Sequence, residues 1–121
     1  MTLGALQRKF AREVPRLIDK AHELGYGVTL GDAYRDPRVH GEMGQKVGYG
    51  RANSCHKVRL AIDLNLFLDP DGDGPEPLAY QTSTEAHRAL GEWWEALSPE
   101  NRWGGRWGDG NHYSKAYSGY K

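Results

Sequence analysis

Cysteine is nearly absent: Cys55 is the only one in 121 residues. An internal disulfide and a thiolate zinc cluster of the CxxC kind are therefore excluded. Net charge is absent too, sixteen basic residues cancelling sixteen acidic ones. General nucleic-acid binders and anionic-membrane binders depend on a summed positive field, which this chain lacks. No apolar run approaches the roughly 20 residues of a membrane span. The stretch Met1 to Phe10 also lacks the basic start and long apolar segment of a secretory leader. The expectation is a protein whose synthesis ends in the cytoplasm, with no membrane insertion and no nucleic-acid partner. The HExxH zinc-protease motif is missing, since His22-Glu23 begins it but position 26 is tyrosine. A chain of this length holds one domain, residues 1–121, with one core, and is expected to act as a monomer.

What is present sorts into helix and strand patterns. Leu3, Leu6, Phe10, Val14, Leu17, Ala21 and Leu24 recur at steps of three and four, the stripe of an amphipathic helix. Pro15 interrupts it, which predicts a kink or a helix restarting at that proline, and Gly25 supplies the stop. From Tyr26 the pattern reads as a strand with Val28 and Leu30 on one face. Val39 to Ser54 is glycine-rich and aperiodic, a long loop with one helical turn. Leu60 to Leu68 is the strongest strand: Leu60, Ile62, Leu64 and Leu66 share one face, Ala61, Asp63, Asn65 and Phe67 the other. Leu78-Ala-Tyr returns as the second arm of a hairpin. Thr82 and Glu85 match a capping box, followed by a helix with Ala86, Leu90, Trp93 and Leu97 inward, ended by Ser98-Pro99. The segment from Trp103 to Tyr113, rich in glycine and aromatics, suits an irregular cleft wall leading into a short strand. The fold class is α+β, a small, mainly antiparallel sheet with packed helices.

Hydrolytic zinc commonly takes three nitrogen or oxygen ligands and keeps a fourth position for water. His56, Asp63 and His112 offer such a set, from a loop end, the adjoining strand and the C-terminal segment. Asp109, three residues before His112, is placed to take a proton from a water and pass it to a leaving amine. His22, His40 and His87 read as surface or packing residues. Spacing alone makes this a weak signal, because such residues occur in many domains.

The stretch Ser54-Cys-His-Lys-Val-Arg-Leu-Ala-Ile-Asp-Leu resembles the SxHxxxxAxDL signature of the M15 peptidases, the D-alanyl-D-alanine carboxypeptidase and dipeptidase family. Asp109-Gly-Asn-His112 is similar to that family's second motif, and Trp103-Gly-Gly precedes it as in many members. The resemblance runs from about Tyr26 to Tyr113 and is strongest to short phage endolysins that act as L-alanyl-D-glutamate peptidases. It implies a hedgehog/DD-peptidase-like zinc site on the sheet, with zinc on His56, Asp63 and His112 and Asp109 as base. It further implies that Arg35, in the Tyr34-Arg35 element, polarises the scissile carbonyl; a fixed guanidinium suits that task. Several relatives carry glutamate where Asp109 stands, and Val58-Arg59 occupies a stretch where the signature often has glycine. The implied activity is hydrolysis of the bacterial peptidoglycan stem peptide at the L-Ala–D-Glu bond by an endolysin that reaches the wall after release from the host cytoplasm. The alternatives are a D-alanyl-D-alanine carboxypeptidase and a non-catalytic zinc-binding module of the same fold.

Other features carry two readings each. Ser54 orients substrate or the histidine loop, or caps a turn. Trp107 lines the substrate cleft or packs. Cys55, next to a ligand, packs. Lys46, Arg51, Lys57 and Arg59 form a basic run, read as a solvated face or a contact for an anionic polymer. Asp69, Asp71 and Asp73 mimic the first half of a calcium loop, but Tyr80 stands where its twelfth-position glutamate belongs. They read as an acidic hairpin turn, or as a weak Ca2+ site.

Overall fold

A computed structural model describes all residues except 49, 73 and 75–77. Helix α1 spans Leu3–Glu23, its first turn capped by Thr2, whose Oγ1 accepts from the Ala5 amide at 3.2 Å. Pro15 lies inside it without restarting it. Burial of Leu6, Phe10 and Leu17 is worth roughly 1.5–3 kcal/mol per side chain. That sum exceeds the interior-proline penalty of about 3 kcal/mol, so tertiary packing keeps the helix whole. Gly25, at φ 91°, ends it.

Strand β1 covers Tyr26–Leu30, and β2 covers Ala61–Leu68. They pair antiparallel, Leu30 opposite Leu64. Leu30 does not join the core as its alternation suggested: as the last residue of β1 it is 66% exposed, although it stands opposite buried Leu64. The other edge of β2 is shared. Strand β3, Ala79–Gln81, pairs with its C-terminal half as the expected hairpin arm, and β5, His112–Lys115, pairs with its N-terminal half. Beyond β5 lies β4, Asn101–Trp103, which sequence patterning did not reveal because three residues show no alternation. The one-turn helix α2, Pro37–His40, opens the long loop.

Helix α3 runs Arg88–Leu97, after a 3-10 turn at Glu85–His87. The expected capping box does not form. Ser83, rather than Thr82, accepts the first free amide, from Ala86 at 3.2 Å. The buried stripe is also rotated from the expected one: Leu90, Gly91 and Trp94 face inward, and Trp93 is only partly buried. The cause is Trp103, whose ring lies against Gly91 on one side and Gly105 on the other, in space no Cβ shares. Trp94 then reaches β5, its Nε1 donating to the Ser114 carbonyl at 3.1 Å.

The apolar residues of α1, α3 and one sheet face form one cluster, with Ile62, Leu64, Leu66 and Tyr113 from the strands. A buried polar network ties its rim. Lys115, fully buried, donates to Glu13 at 2.6 Å, to Asn101 at 2.6 Å and to Glu100 at 3.3 Å. Burial pushes the Glu13 carboxyl up, but Lys115, Ser98 and Asn101 overcome that and hold it below the usual carboxylate range. No helix among the described residues is long and apolar enough to cross a membrane. Period-2 alternation sends Asp63 and Asn65 to the face of β2 opposite the core, and the candidate site is built there.

Candidate metal centre and cleft

The site begins with a register. Asp63 stands opposite His112 in the β2–β5 pair. Both backbone groups of Asp63 turn the other way: its amide donates to Asp32 O at 2.8 Å, and its carbonyl accepts from Gly31 N at 2.8 Å. Asp63 and His112 are therefore a non-hydrogen-bonded pair, the type in which cross-strand side chains come closest. The third residue, His56, sits in a 3-10 turn at Cys55–Val58, capped by Ser54 Oγ accepting from His56 N at 3.2 Å.

The three side chains converge. His56 Nε2 lies 3.2 Å from Asp63 Oδ1, and His112 Nδ1 lies 3.5 Å from the same oxygen. One ligand atom from each falls within 4.8 Å of the others, and among the described residues this is the group able to hold a metal ion. His56 Nδ1 is 2.8 Å from the Ala33 carbonyl; donation there leaves the lone pair on Nε2, pointing inward. Despite their proximity, His56 Nε2 and Asp63 Oδ1 are buried without a hydrogen-bond partner. Buried polar atoms are seldom left so, and a cation among them would satisfy both. Two imidazoles and one carboxylate form the donor set of catalytic zinc. Burial raises the Asp63 carboxyl, but the adjacent imidazoles of His112 and His56 outweigh it and hold the group well below its ordinary range.

Asp109 is held over the ligands by a tight turn. Its amide donates to Gly104 O at 2.8 Å and its carbonyl accepts from His112 N at 3.2 Å. A Cβ on residue 104 would strike both the Asp109 carbonyl and the His112 side chain, so only glycine lets this turn close. The Asp109 carboxylate reaches within 3.9 Å of His112 Nδ1, and its side chain is 47% exposed. It is thus near the ligands yet open to solvent. Trp103 anchors the same turn, its Nε1 donating to Gly110 O at 2.7 Å.

Arg35 enters from the far side. Its Nε donates to Asp32 at 3.2 Å, its Nη1 donates to Ser54 Oγ at 3.2 Å, and Nη2 stands 3.9 Å from Asp63 Oδ2. Its side chain is only 11% exposed. Ser54 caps the His56 turn and, beyond its sequence readings, also accepts from the Arg35 guanidinium. The cleft of about 240 Å³ is lined by Arg35, Arg51, Ser54, His56, Asp63, Asp109, His112 and Lys121. Trp107 stands beside it, its ring 5.6 Å from that of His112 and with Lys121 Nζ 5.0 Å above it.

Several residues escaped sequence reasoning. Asp32 braces Arg35 from three residues upstream, a spacing that carries no motif of its own. Arg51, part of the basic run, and Lys121, which no sequence feature singles out, both line the cleft. Lys57 is not part of a solvated basic face. It is buried, and its Nζ donates to the carbonyls of Glu42, Gln45 and Ala52 at 3.1, 2.6 and 3.0 Å. Arg59 adopts φ 57°, the left-handed conformation at the end of the His56 turn, which glycine would adopt without a Cβ penalty. Its guanidinium sits 4.0 Å above the Tyr34 ring, a contact that offsets part of the strain.

Cys55 packs, as expected: it is buried, its Sγ is 3.6 Å from Lys115 O, and burial pushes its thiol up to about 12. His87 is likewise a packing residue, buried with Nδ1 2.7 Å from the Tyr113 hydroxyl. In the acidic turn, Asp69 is buried and its Oδ1 accepts from Gly74 N at 2.9 Å, so this carboxylate ties the turn. Asp71 is exposed, and Asp73 lies outside the described residues.

No curated protein matches the chain. A family profile described as D-alanyl-D-alanine carboxypeptidase, of the M15 peptidases, matches residues 48–115, a span that holds all three ligand residues and Asp109. With more than half its length matched around a convergent His-Asp-His cluster, the chain belongs to the M15 peptidase family.

Proposed function

We propose that this protein is a zinc peptidase that hydrolyses the peptidoglycan stem peptide between L-Ala and D-Glu, acting as a phage endolysin on the host wall after release from the cytoplasm. The observation that carries the hydrolytic reading is the meeting of His56, Asp63 and His112 at one point, with Asp109 and Arg35 on the same cleft. Zinc held by the three ligands supplies a Lewis acid that polarises a carbonyl and acidifies water. Asp109, exposed beside the ligands, takes the proton of the attacking water and delivers it to the leaving nitrogen. Arg35, held by Asp32 and Ser54, presents its guanidinium to the oxyanion as charge develops. Trp107 and Ser54 flank the substrate position.

Choice of the L-Ala–D-Glu bond and the endolysin role rest on the likeness of the Ser54–Leu64 and Asp109–His112 motifs to short phage endolysins. A second reading, removal of terminal D-Ala, is favoured by the description of the matched family. A non-catalytic zinc module is disfavoured by the presence of Asp109 and Arg35 beside the ligands. Mass spectrometry of purified peptidoglycan digested with and without a zinc chelator tests the proposal. New D-Glu amino termini, lost with chelator, support it; free D-Ala as the sole product replaces it with the second reading; no product from zinc-loaded protein refutes both.

A further inference from the structure

The cations of the cleft do not all have work to do. Arg35 is committed to Asp32, Ser54 and Asp63. Arg51 and Lys121 line the same cleft, and neither forms an ion pair among the described residues. They also line a second cavity of about 400 Å³ with Lys46, Ala52, Asn53 and Gly119. The two cations thus stand where the ligand cleft opens into an outer basin.

Their backbones are fixed, and the Lys121 ammonium rests 5.0 Å above the Trp107 ring. The carbonyl of Ala52, next to Arg51, accepts from buried Lys57 at 3.0 Å and from Gly44 N at 2.9 Å. Lys121 N donates to Asn53 O at 3.1 Å, and Cys55 N donates to Lys121 O, which binds this residue along the edge of the His56 loop. Asp109, the remaining exposed carboxylate of the cleft, reaches toward His112 instead. Two cations on fixed backbone, neither paired with a carboxylate among the described residues, make a seat for an anion beside the candidate metal centre, and the planar guanidinium of Arg51 matches a carboxylate in bidentate fashion.

The substrate class proposed above supplies such an anion in a defined place. In the L-Ala–γ-D-Glu linkage the carbon bearing the scissile nitrogen also bears a free α-carboxylate. In a terminal D-Ala-D-Ala it does as well. Both bonds therefore place a carboxylate three covalent bonds beyond the scissile carbonyl carbon, on the leaving side. We infer that Arg51 and Lys121 form the recognition site for the α-carboxylate of the residue on the leaving side of the scissile bond, so that the enzyme selects leaving-side residues in which that carboxylate is free. This rests on the hydrolytic reading for its ligand, but not on which bond is cut.

The test uses two peptide pairs: L-Ala-γ-D-Glu-L-Lys against the same peptide with the D-Glu α-carboxylate amidated, and acetyl-L-Lys-D-Ala-D-Ala against its C-terminal amide. Binding to zinc-loaded Asp109→Asn protein is measured by calorimetry, and cleavage with the unaltered enzyme. The expected result is at least tenfold tighter binding of the carboxylate form in one pair or both. That preference falls toward one in Arg51→Gln/Lys121→Gln, in the same Asp109→Asn background, with zinc content and melting temperature unchanged. The pair that shows it identifies the source of the carboxylate. Equal binding of both forms to the parent, or an undiminished preference in the altered protein, overturns the inference. Single substitutions at each position replace the double one if it fails to fold, and each should then lose part of the preference. Cleavage without carboxylate preference sinks this site and leaves the hydrolytic reading standing; carboxylate preference without cleavage of either pair does the reverse.

Discussion

Replacing Lys57 by methionine removes a buried ammonium while nearly preserving the shape of its stem. All three Nζ donors are used, at 2.6 to 3.1 Å, on carbonyls of Glu42, Gln45 and Ala52. Hydrogen bonds to a charged group are worth about 1.5–3 kcal/mol each. Against them stands the desolvation of the ammonium, several kcal/mol for a side chain only 5% exposed. The net loss expected for Lys57→Met is therefore on the order of 2–4 kcal/mol. It should fall on the loop before the loss of the core, because the freed carbonyls belong to residues 42–52 and the apolar cluster is untouched. Since the same loop leads into Ser54 and His56, zinc affinity should weaken about 10- to 100-fold, the range seen when residues supporting metal ligands are removed. Urea unfolding of the metal-free protein, hydrogen exchange over residues 41–54 and competition titration with a zinc chelator measure the three effects. Lys46→Met is the control: Lys46 lies in the same loop and is exposed, so a change within about 0.5 kcal/mol is expected. If Lys57→Met matches that control in both stability and zinc affinity, the loop does not depend on its buried cation and the reasoning fails.

Asp109→Asn should keep zinc within a few-fold of the parent affinity, as its carboxylate is 47% exposed and not among the three ligands, while kcat falls about 10²- to 10⁴-fold, the usual contribution of a general base. Loss of zinc with loss of rate would make it a ligand instead, and parental kcat would remove it from the mechanism. His87 carries a pH prediction. Burial lowers its imidazole to about 4, against 6.5 ordinarily, outweighing an opposing backbone hydrogen bond with Gln81. The native state therefore prefers the neutral ring: stability from this group is complete above pH 6.5 and is lost as pH falls to about 4, a difference on the order of 3 kcal/mol. Urea midpoints of parent and His87→Asn across that window should converge as pH falls; a parallel offset would show that His87 remains protonated or neutral in both states alike.

The sequence was informative where one residue's neighbours decide its fate. Alternation along Leu60 to Leu68 put Asp63 on the face opposite the core, and this survived because a one-residue slip of β2 would bury Asp63 and expose Leu64 and Leu66 together. His56 and His112 were legible for a different reason, as members of two ordered motifs whose spacing the fold must respect. Legibility ended where partners come from afar. The rotation of α3 that buries Trp94 in place of Trp93 is imposed by the Trp103 ring lying on Gly91, twelve positions away, and helical periodicity alone does not specify which flank of the stripe such a ring will cover. Lys57 reads as a surface cation beside Arg59 because nothing local marks the carbonyls that a glycine-rich loop folds around it. Arg59 itself shows how the two kinds of information meet. A glycine in that stretch would report a left-handed turn directly, whereas arginine hides the turn and reveals it only through φ 57° and the Tyr34 ring beneath its guanidinium. The ligands are thus set by a register that local pattern encodes. The loop that supports His56 and carries Arg51 is set by buried polar contacts that it does not encode. Substitutions at Arg51, which leave both the strand pattern and the Lys57 contacts in place, should therefore alter what the cleft accepts while sparing metal affinity, whereas those that break the Lys57 contacts should affect both.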